Sequence, residues 1–396
     1  MLTPKRMFIL ILVLALLSIP MMLQAQEDEE PIRIGAGFGI TGGMASLDGP
    51  GSNGALLAAN EINEAGGVLG RPLELIVRDS QTEPDTTAQI ARQFIEEDQV
   101  VAAIGFNDSD SALAFGPVFQ EAGIPYITAG ATSPKLPDQI GDMMFLAPFG
   151  DNTQAAVAAE FAFENFGDTA YLLINEGAEF TRLLAAYFKA RFEELGGEIV
   201  LEDSYEFDAT DFTPQITRLL ALSEQPDFYF ISALPQDIGP VVRQLRDAGI
   251  TGPVVSGDGA DTPLLLEVAG DAANDVYFTT HALMDAENGT EKVQAFIEAY
   301  EEEYGHPPEN AFAALGYDTV YLLADAIERA GSTDPEAIRD ALEETEGFEA
   351  VTGTITYKEG SHVPQKAVTM IHVQDGKFTL AGEFIPESVP PVELEE

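Results

Sequence analysis

From Ile32 to Thr279 short apolar runs alternate with amphipathic stretches, and the whole alternation occurs twice in succession. In the first pass Ile32–Gly39, Leu73–Val77, Val100–Gly105, Ile124–Thr128 and Met144–Ala147 read as strands. Ser52–Glu64, Pro84–Glu97 and Ser111–Glu121 carry apolar residues at helical spacing, and Gly66-Gly67 and Gly123 stop two of them. The second pass sets helices at Asn152–Phe166, Phe180–Leu195, Asp211–Leu222 and Gln236–Asp247. Its strands are Ala170–Ile174, Glu198–Leu201, Phe228–Ile231, Val254-Val255 and Val276–Thr279. Beyond about residue 281 three helices follow almost in sequence (Lys292–Glu302, Phe312–Ala330, Pro335–Glu344), then closing strands at Thr354–Tyr357, Ala367–His372 and Phe378–Leu380. Two consecutive strand–helix blocks imply an α/β fold of two doubly wound parallel-sheet lobes. In such sheets ligands bind beyond the carboxyl ends of the strands, here in a cleft that hinge motion closes.

Within the first block Gly37, Gly39 and Gly42 spell G-x-G-x-x-G, the outline of a dinucleotide fingerprint. Two features argue against that use. The helix is expected to begin only near Ser52, whereas a pyrophosphate needs a helix N-terminus within the motif. The acid ending the next strand, Asp79, lies 37 residues beyond Gly42, against the ~20 that the fingerprint calls for. "GITGGMASLD" reads instead as a flexible loop at the lip of the cleft, presenting Leu47.

The chain carries 67 Asp+Glu against 19 Lys+Arg, a formal net charge of −48. Nucleic acid and anionic membrane surfaces are excluded as partners by repulsion. Screening at high salt would relieve the self-repulsion of such a surface. Lys5 and Arg6, the apolar stretch Met7–Pro20 and a small residue before an acidic segment form a secretory signal peptide, residues 1–25, cleaved after Ala25. There is no cysteine, so neither a disulfide nor a lipid attached at the cleavage site is expected. A periplasmic, monomeric protein follows. Residues 385–396, rich in Pro and Glu, read as a disordered acidic tail.

The strand-end rule selects Asn107–Ser111, Ala129–Thr132, Asn175–Phe180, Ser232–Leu234 and Gly257–Gly259. Ser109 or Ser111 could donate a hydroxyl to an anion beside free helix N–H groups, or simply cap the helix. Gly130 admits close approach to the main chain and Thr132 adds a hydroxyl, although the same residues also make ordinary loops. Asp258, between glycines, suits a ligand ammonium or a plain turn. The four histidines (His281, His306, His362, His372) lack metal-ligand spacing. There is no nucleophile elbow and no phosphate-binding G-x-x-x-x-G-K-[ST] loop. No cofactor, metal or catalytic residue is expected.

The stretches "GALLAANEINEAGGVLGRPLELIVRDSQTEP", "AAIGFNDSDSALAFGPVFQEAGIPYITAGATSP", "VVRQLRDAGITGPVVSGDG" and "AALGYDTVYLLADAIERAGSTDPEAIRDAL" occur in this order. As a set they resemble the type I periplasmic binding proteins of ABC importers, specifically the branched-chain amino-acid (Leu/Ile/Val) group, over roughly residues 32–383. The resemblance implies two lobes joined by a three-crossover hinge, residues 32–150 with 281–362 and residues 151–280 with 363–384. It implies ABC permease subunits as partners and a buried amino acid as ligand. Ser109, Gly130 and Thr132 would hold its carboxylate, Gly130 and Thr132 could also reach its ammonium, and Asp258 would take the ammonium. Leu47, Phe180, Leu234 and Phe312 would line the side-chain pocket. Leu47, Phe180 and Leu234 depart from the family's tyrosines, which leaves amides, urea or aromatic acids open as ligands, in transport or in sensing. A dinucleotide-dependent enzyme is the remaining alternative from another class.

Overall fold

The computed structural model describes residues 30–207, 209–358 and 360–394; the expected signal peptide lies outside them. Five parallel strands, β1 (Ile32–Phe38), β2 (Leu73–Asp79), β3 (Ala102–Gly105), β4 (Tyr126–Thr128) and β5 (Met144–Leu146), form one sheet in the order β2-β1-β3-β4-β5. They alternate with helices α1 (Ala45–Glu64), α2 (Pro84–Glu96), α3 (Ser109–Ala122) and α4 (Leu136–Ile140). The second block repeats the pattern with α5 (Asp151–Asn165), β6 (Thr169–Asn175), α6 (Glu179–Glu194), β7 (Glu198–Tyr205), α7 (Thr213–Leu220), β8 (Phe228–Ser232), α8 (Pro235–Asp247), β9 (Val254–Ser256), α9 (Pro263–Ala269) and β10 (Val276–Thr280). Helices α10 (Glu291–Tyr304), α11 (Ala311–Ala330) and α12 (Pro335–Glu343) follow, then a small hairpin of β11 (Phe348–Ala350) and β12 (Gly353–Ile355). Two last strands, β13 (Val368–Gln374) and β14 (Lys377–Phe384), join the second sheet antiparallel, giving the order β14-β13-β10-β9-β8-β6-β7.

The period of two along each strand sorts the core. Ile32, Ile34, Ala36 and Phe38 of β1 face α1, α11 and α12, together with Ile104, Ile127 and Phe145. The alternate residues Ala103, Tyr126, Met144 and Leu146 face Phe94 of α2 and Phe115 and Phe119 of α3. In the second sheet Tyr171, Tyr229, Val254 and Phe278 face α7–α9, while Leu172, Phe230 and Val255 face α5 and α6. Helices α1 and α11 meet at glycines: a Cβ on Gly54 would lie 1.8 Å from Ala313 O, and one on Gly316 1.9 Å from Gly51 O.

The chain crosses between the sheets three times, after β5, after β10 and after β12. The third crossing is tied to the first, because buried Lys366 Nζ reaches Ala147 O at 3.4 Å while donating to Thr352 Oγ1 at 2.6 Å. Burial lowers this ammonium to about 8.

Three expectations are corrected. Helix α1 begins at Ala45 rather than Ser52, so Leu47 stands on a helix and not in a flexible loop, and the helix runs through Pro50. Proline cannot donate to the carbonyl four residues back, and Asn310 Nδ2 supplies that bond to Ser46 O at 2.9 Å. The spacing argument against a dinucleotide therefore rests on Asp79 alone, but packing now accounts for the glycines. A Cβ on Gly37 would lie 2.6 Å from the Phe106 ring, and one on Gly39 2.7 Å from Thr82 Oγ1; Gly42 has φ +95° and abuts Gln81 O. Residues 385–394 are not a free tail. Asn152 Nδ2 donates to Pro390 O (3.0 Å), Tyr187 Oη to Val392 O (2.6 Å), and Lys135 Nζ pairs with Glu393 (3.1 Å). The strap's own carbonyls take side-chain donors, which composition does not reveal.

Candidate ligand cleft

Between the carboxyl ends of the two sheets lies a cavity of about 370 Å³. All five strand-end loops selected from the sequence contribute to its wall, and so do Leu47 of α1 and Phe312 of α11. Ser109, Gly130, Thr132, Asp258, Leu47, Phe180, Leu234 and Phe312 are thus brought together around one space.

The loops are held by buried polar bonds. Asp48 accepts from Gly39 N (2.5 Å) and Asn107 N (3.0 Å), tying the ends of β1 and β3. Burial, with the Asp108 charge beside it, pushes the Asp48 carboxyl well above its usual range. The cap of α3 is Asp108, whose Oδ1 accepts from Ser111 N at 2.7 Å. Ser109 is therefore not the cap: its Oγ is buried and has no hydrogen-bond partner among the described residues. Thr132 is buried as well, and its carbonyl accepts from Asp151 N at 2.7 Å. Gly130 is glycine for want of space, since a Cβ there would lie 2.4 Å from Asn107 Oδ1 and 2.8 Å from the Phe312 ring.

Across the cavity Asp258 opens a 3₁₀ turn after β9. Gln154 Nε2 donates to its Oδ1 at 3.0 Å, and His281 Nε2 stands 3.0 Å from its Oδ2. Gln154 also donates to Asp151 Oδ1 (3.0 Å) and accepts from Asp258 N (3.1 Å) and Thr279 Oγ1 (2.7 Å). Burial, then the nearby Asp258 charge, raises the Asp151 carboxyl far above its ordinary value. Leu47 packs with Met44, Phe312 and Leu315, forming an apolar wall opposite Phe180 and Leu234. Glu83, Asp108, Asp110 and Asp258 line the space with no Lys, Arg or His among them. The mouth is drawn together where Glu179 N, at the start of α6, donates to Asp110 Oδ2 of α3 at 3.0 Å.

Sequence reasoning selected Asn107 only as part of its loop, and it missed Gln154, Phe207 and His281. Phe207 and His281 follow β7 and β10, so the strand-end rule carried further would have found both. Gln154 lies inside a helix and carries no such signal.

The periplasmic binding protein family profile matches residues 31–377. This chain belongs to the periplasmic binding protein family. Among similar proteins, the Leu/Ile/Val-binding protein homolog 1 of Brucella abortus is 29% identical over 329 residues, covering 83% of this chain and 86% of that protein. The isoleucine-bound structure of the branched-chain amino acid transporter substrate binding protein LivJ from Streptococcus pneumoniae superposes with a TM-score of 0.83 at 28% identity, covering 90% of this chain and 100% of LivJ. The leucine binding protein LivK from Thermotoga maritima gives 0.82 at 31% identity, covering 90% and 99%. These likenesses identify the chain as a type I periplasmic binding protein of the branched-chain amino-acid group, with the α/β sheet architecture of that fold. As a member of this family the binding protein works outside the cytoplasm, with a small-molecule ligand and a transporter partner.

Proposed function

We propose that this binding protein captures an α-amino acid with an apolar, branched-chain-like side chain and delivers it to an ABC importer without chemical change. The observation that carries the reading is the pairing across one cavity of an unpartnered buried hydroxyl, Ser109 Oγ, with a fixed carboxylate, Asp258, between apolar walls. Ser109, Thr132 and the main chain at Gly130 hold the ligand carboxylate. Asp258 takes the ammonium. Leu47, Phe180, Leu234 and Phe312 enclose the side chain. Lobe one comprises residues 32–150 and 281–362 and lobe two 151–280 and 363–384, and ligand contacts from both favour the closed state. The mature protein is a soluble periplasmic monomer released after Ala25, and without cysteine it carries no lipid.

The charge of the cleft weighs against ligands that are simple acids. Four carboxylates face the space and no cation does, so an aromatic acid would bring its anion in without compensation. A thermal-shift panel on ligand-stripped protein tests this. A ligand at 100 times its Kd adds ~2.7 kcal/mol of stability. Leucine, isoleucine or valine should raise the melting temperature, while benzoate, urea and aliphatic amides should not. Stabilisation by benzoate but by no α-amino acid would overturn the reading.

A further inference from the structure

His281 is a buried histidine for which an importer's receptor has no evident use, and its surroundings are unusually constrained. The ring stacks on Phe149, with centroids 4.1 Å apart and planes 23° apart, and meets the edge of Phe312 at 5.7 Å. Phe149 belongs to the first crossing between the lobes, and His281 itself opens the second. The ring is therefore clamped by two of the segments that join the lobes, and it touches the wall of the ligand cavity. Its Nε2 stands 3.0 Å from Asp258 Oδ2, and its Nδ1 is buried without a partner among the described residues.

We infer that His281 is a positioning residue for ligand recognition: a neutral imidazole whose Nε2–H orients the Asp258 carboxylate toward the ammonium of the bound amino acid. The inference rests on the amino-acid reading above. With the Nε2–H tautomer each Asp258 oxygen has one donor, Gln154 Nε2 on Oδ1 and His281 Nε2 on Oδ2, and the pair resists rotation of the carboxylate about its own bond. Each oxygen keeps lone-pair capacity for a second donor. A neutral ring is the form that serves here, because an imidazolium would offer Asp258 a rival cation. Burial does hold the His281 ring below its ordinary pKa, and the charge of Lys366 works in the same direction, against the opposing pull of Asp258. Gln154 continues the same chain to Asp151, whose N–H meets Thr132 O. The ammonium end of the site is thereby linked through buried bonds to the loop assigned to the carboxylate.

The test is a calorimetric double-mutant cycle with L-leucine as the probe, on wild type, His281→Leu, His281→Gln, Asp258→Asn and His281→Leu/Asp258→Asn. His281→Leu should weaken leucine roughly 10- to 100-fold, the scale of one hydrogen bond to a charged group. His281→Gln, whose side-chain amide can donate from nearly the same place, should recover most of that loss. In the Asp258→Asn background His281→Leu should add little. Equal losses in both backgrounds, or no recovery by Gln, would mean that His281 only supports the fold. Failure of the wild type to bind leucine would sink the amino-acid reading instead. The imidazole ¹⁵N shifts then decide: Nε2–H in the wild type, altered by Asp258→Asn, supports the pairing, and Nδ1–H overturns it.

Discussion

Asp258→Ala is expected to weaken binding of a branched-chain amino acid by two to three orders of magnitude or more, a loss of about 3–5 kcal/mol. The size follows from where the group sits. Asp258 is a buried residue of the cleft wall, with Gln154 Nε2 donating to its Oδ1 at 3.0 Å and His281 Nε2 lying 3.0 Å from its Oδ2. Without it a ligand ammonium would be desolvated with no counter-charge, and that penalty exceeds the worth of a single hydrogen bond. The substitution should not unfold the protein. It relieves Asp151, whose carboxyl is already driven upward in part by the Asp258 charge. Calorimetry with a far-ultraviolet dichroism control separates the two effects. Unchanged affinity in a folded variant would remove Asp258 from the site.

The second large effect is on stability, and its sign is unusual. Most proteins lose stability in mild acid as paired carboxylates are protonated. Here buried carboxyls are raised, not lowered: Asp108 and Asp261 to about 6, and Asp48 and Asp151 well above their ordinary range, in each case chiefly through burial. An acid with a raised folded pKa binds its proton more tightly in the native state. Stability therefore grows as pH falls through the folded pKa toward the unfolded value near 4, and is lost as pH rises. Buried His281 and His362, held below their usual range by burial, act in the opposite sense around pH 6.5 and below. Buried Lys366, lowered to about 8, opposes the trend too, near pH 8 and above. These three bases stand against six carboxyls, since burial also raises Asp110 and Asp318, and the net charge of −48 shrinks on acidification as well. The ligand-free protein should melt at least about 5 °C higher at pH 5 than at pH 8. At pH 8, 1 M salt should raise the melting temperature by screening the surface charge, with less gain at pH 5. A melting temperature that is flat or falling along both series would contradict this account.

Much of the architecture is written in the period of the apolar residues. The central parallel strands lie where short apolar runs stand, because a sheet covered on both faces needs continuous burial there, whereas the outer strands β2, β7 and β14 are only partly buried. The site was legible for the same reason: topology sends the loops after β3, β4, β6, β8 and β9 to one place. What the sequence hides is long-range polar bonding. The early start of α1 depends on Asn310, 264 residues away in sequence from the carbonyl it serves. The strap at 385–394 depends on donors from Asn152 and Tyr187. Gln154 and His281 matter only because folding sets them on Asp258. The opening glycines fit a known letter pattern, yet they reflect aromatic rings and neighbouring loops pressed against a strand and its turn.

The central claim is that one cleft recognises both ends of a zwitterion. Calorimetric titration of stripped protein with L-leucine, 4-methylpentanoate and 3-methylbutylamine tests it most directly, since each analogue lacks one of the two charges. The account predicts saturable binding of leucine at one site per chain, with each analogue weaker by at least about 100-fold. Binding of either analogue as tightly as leucine would contradict it.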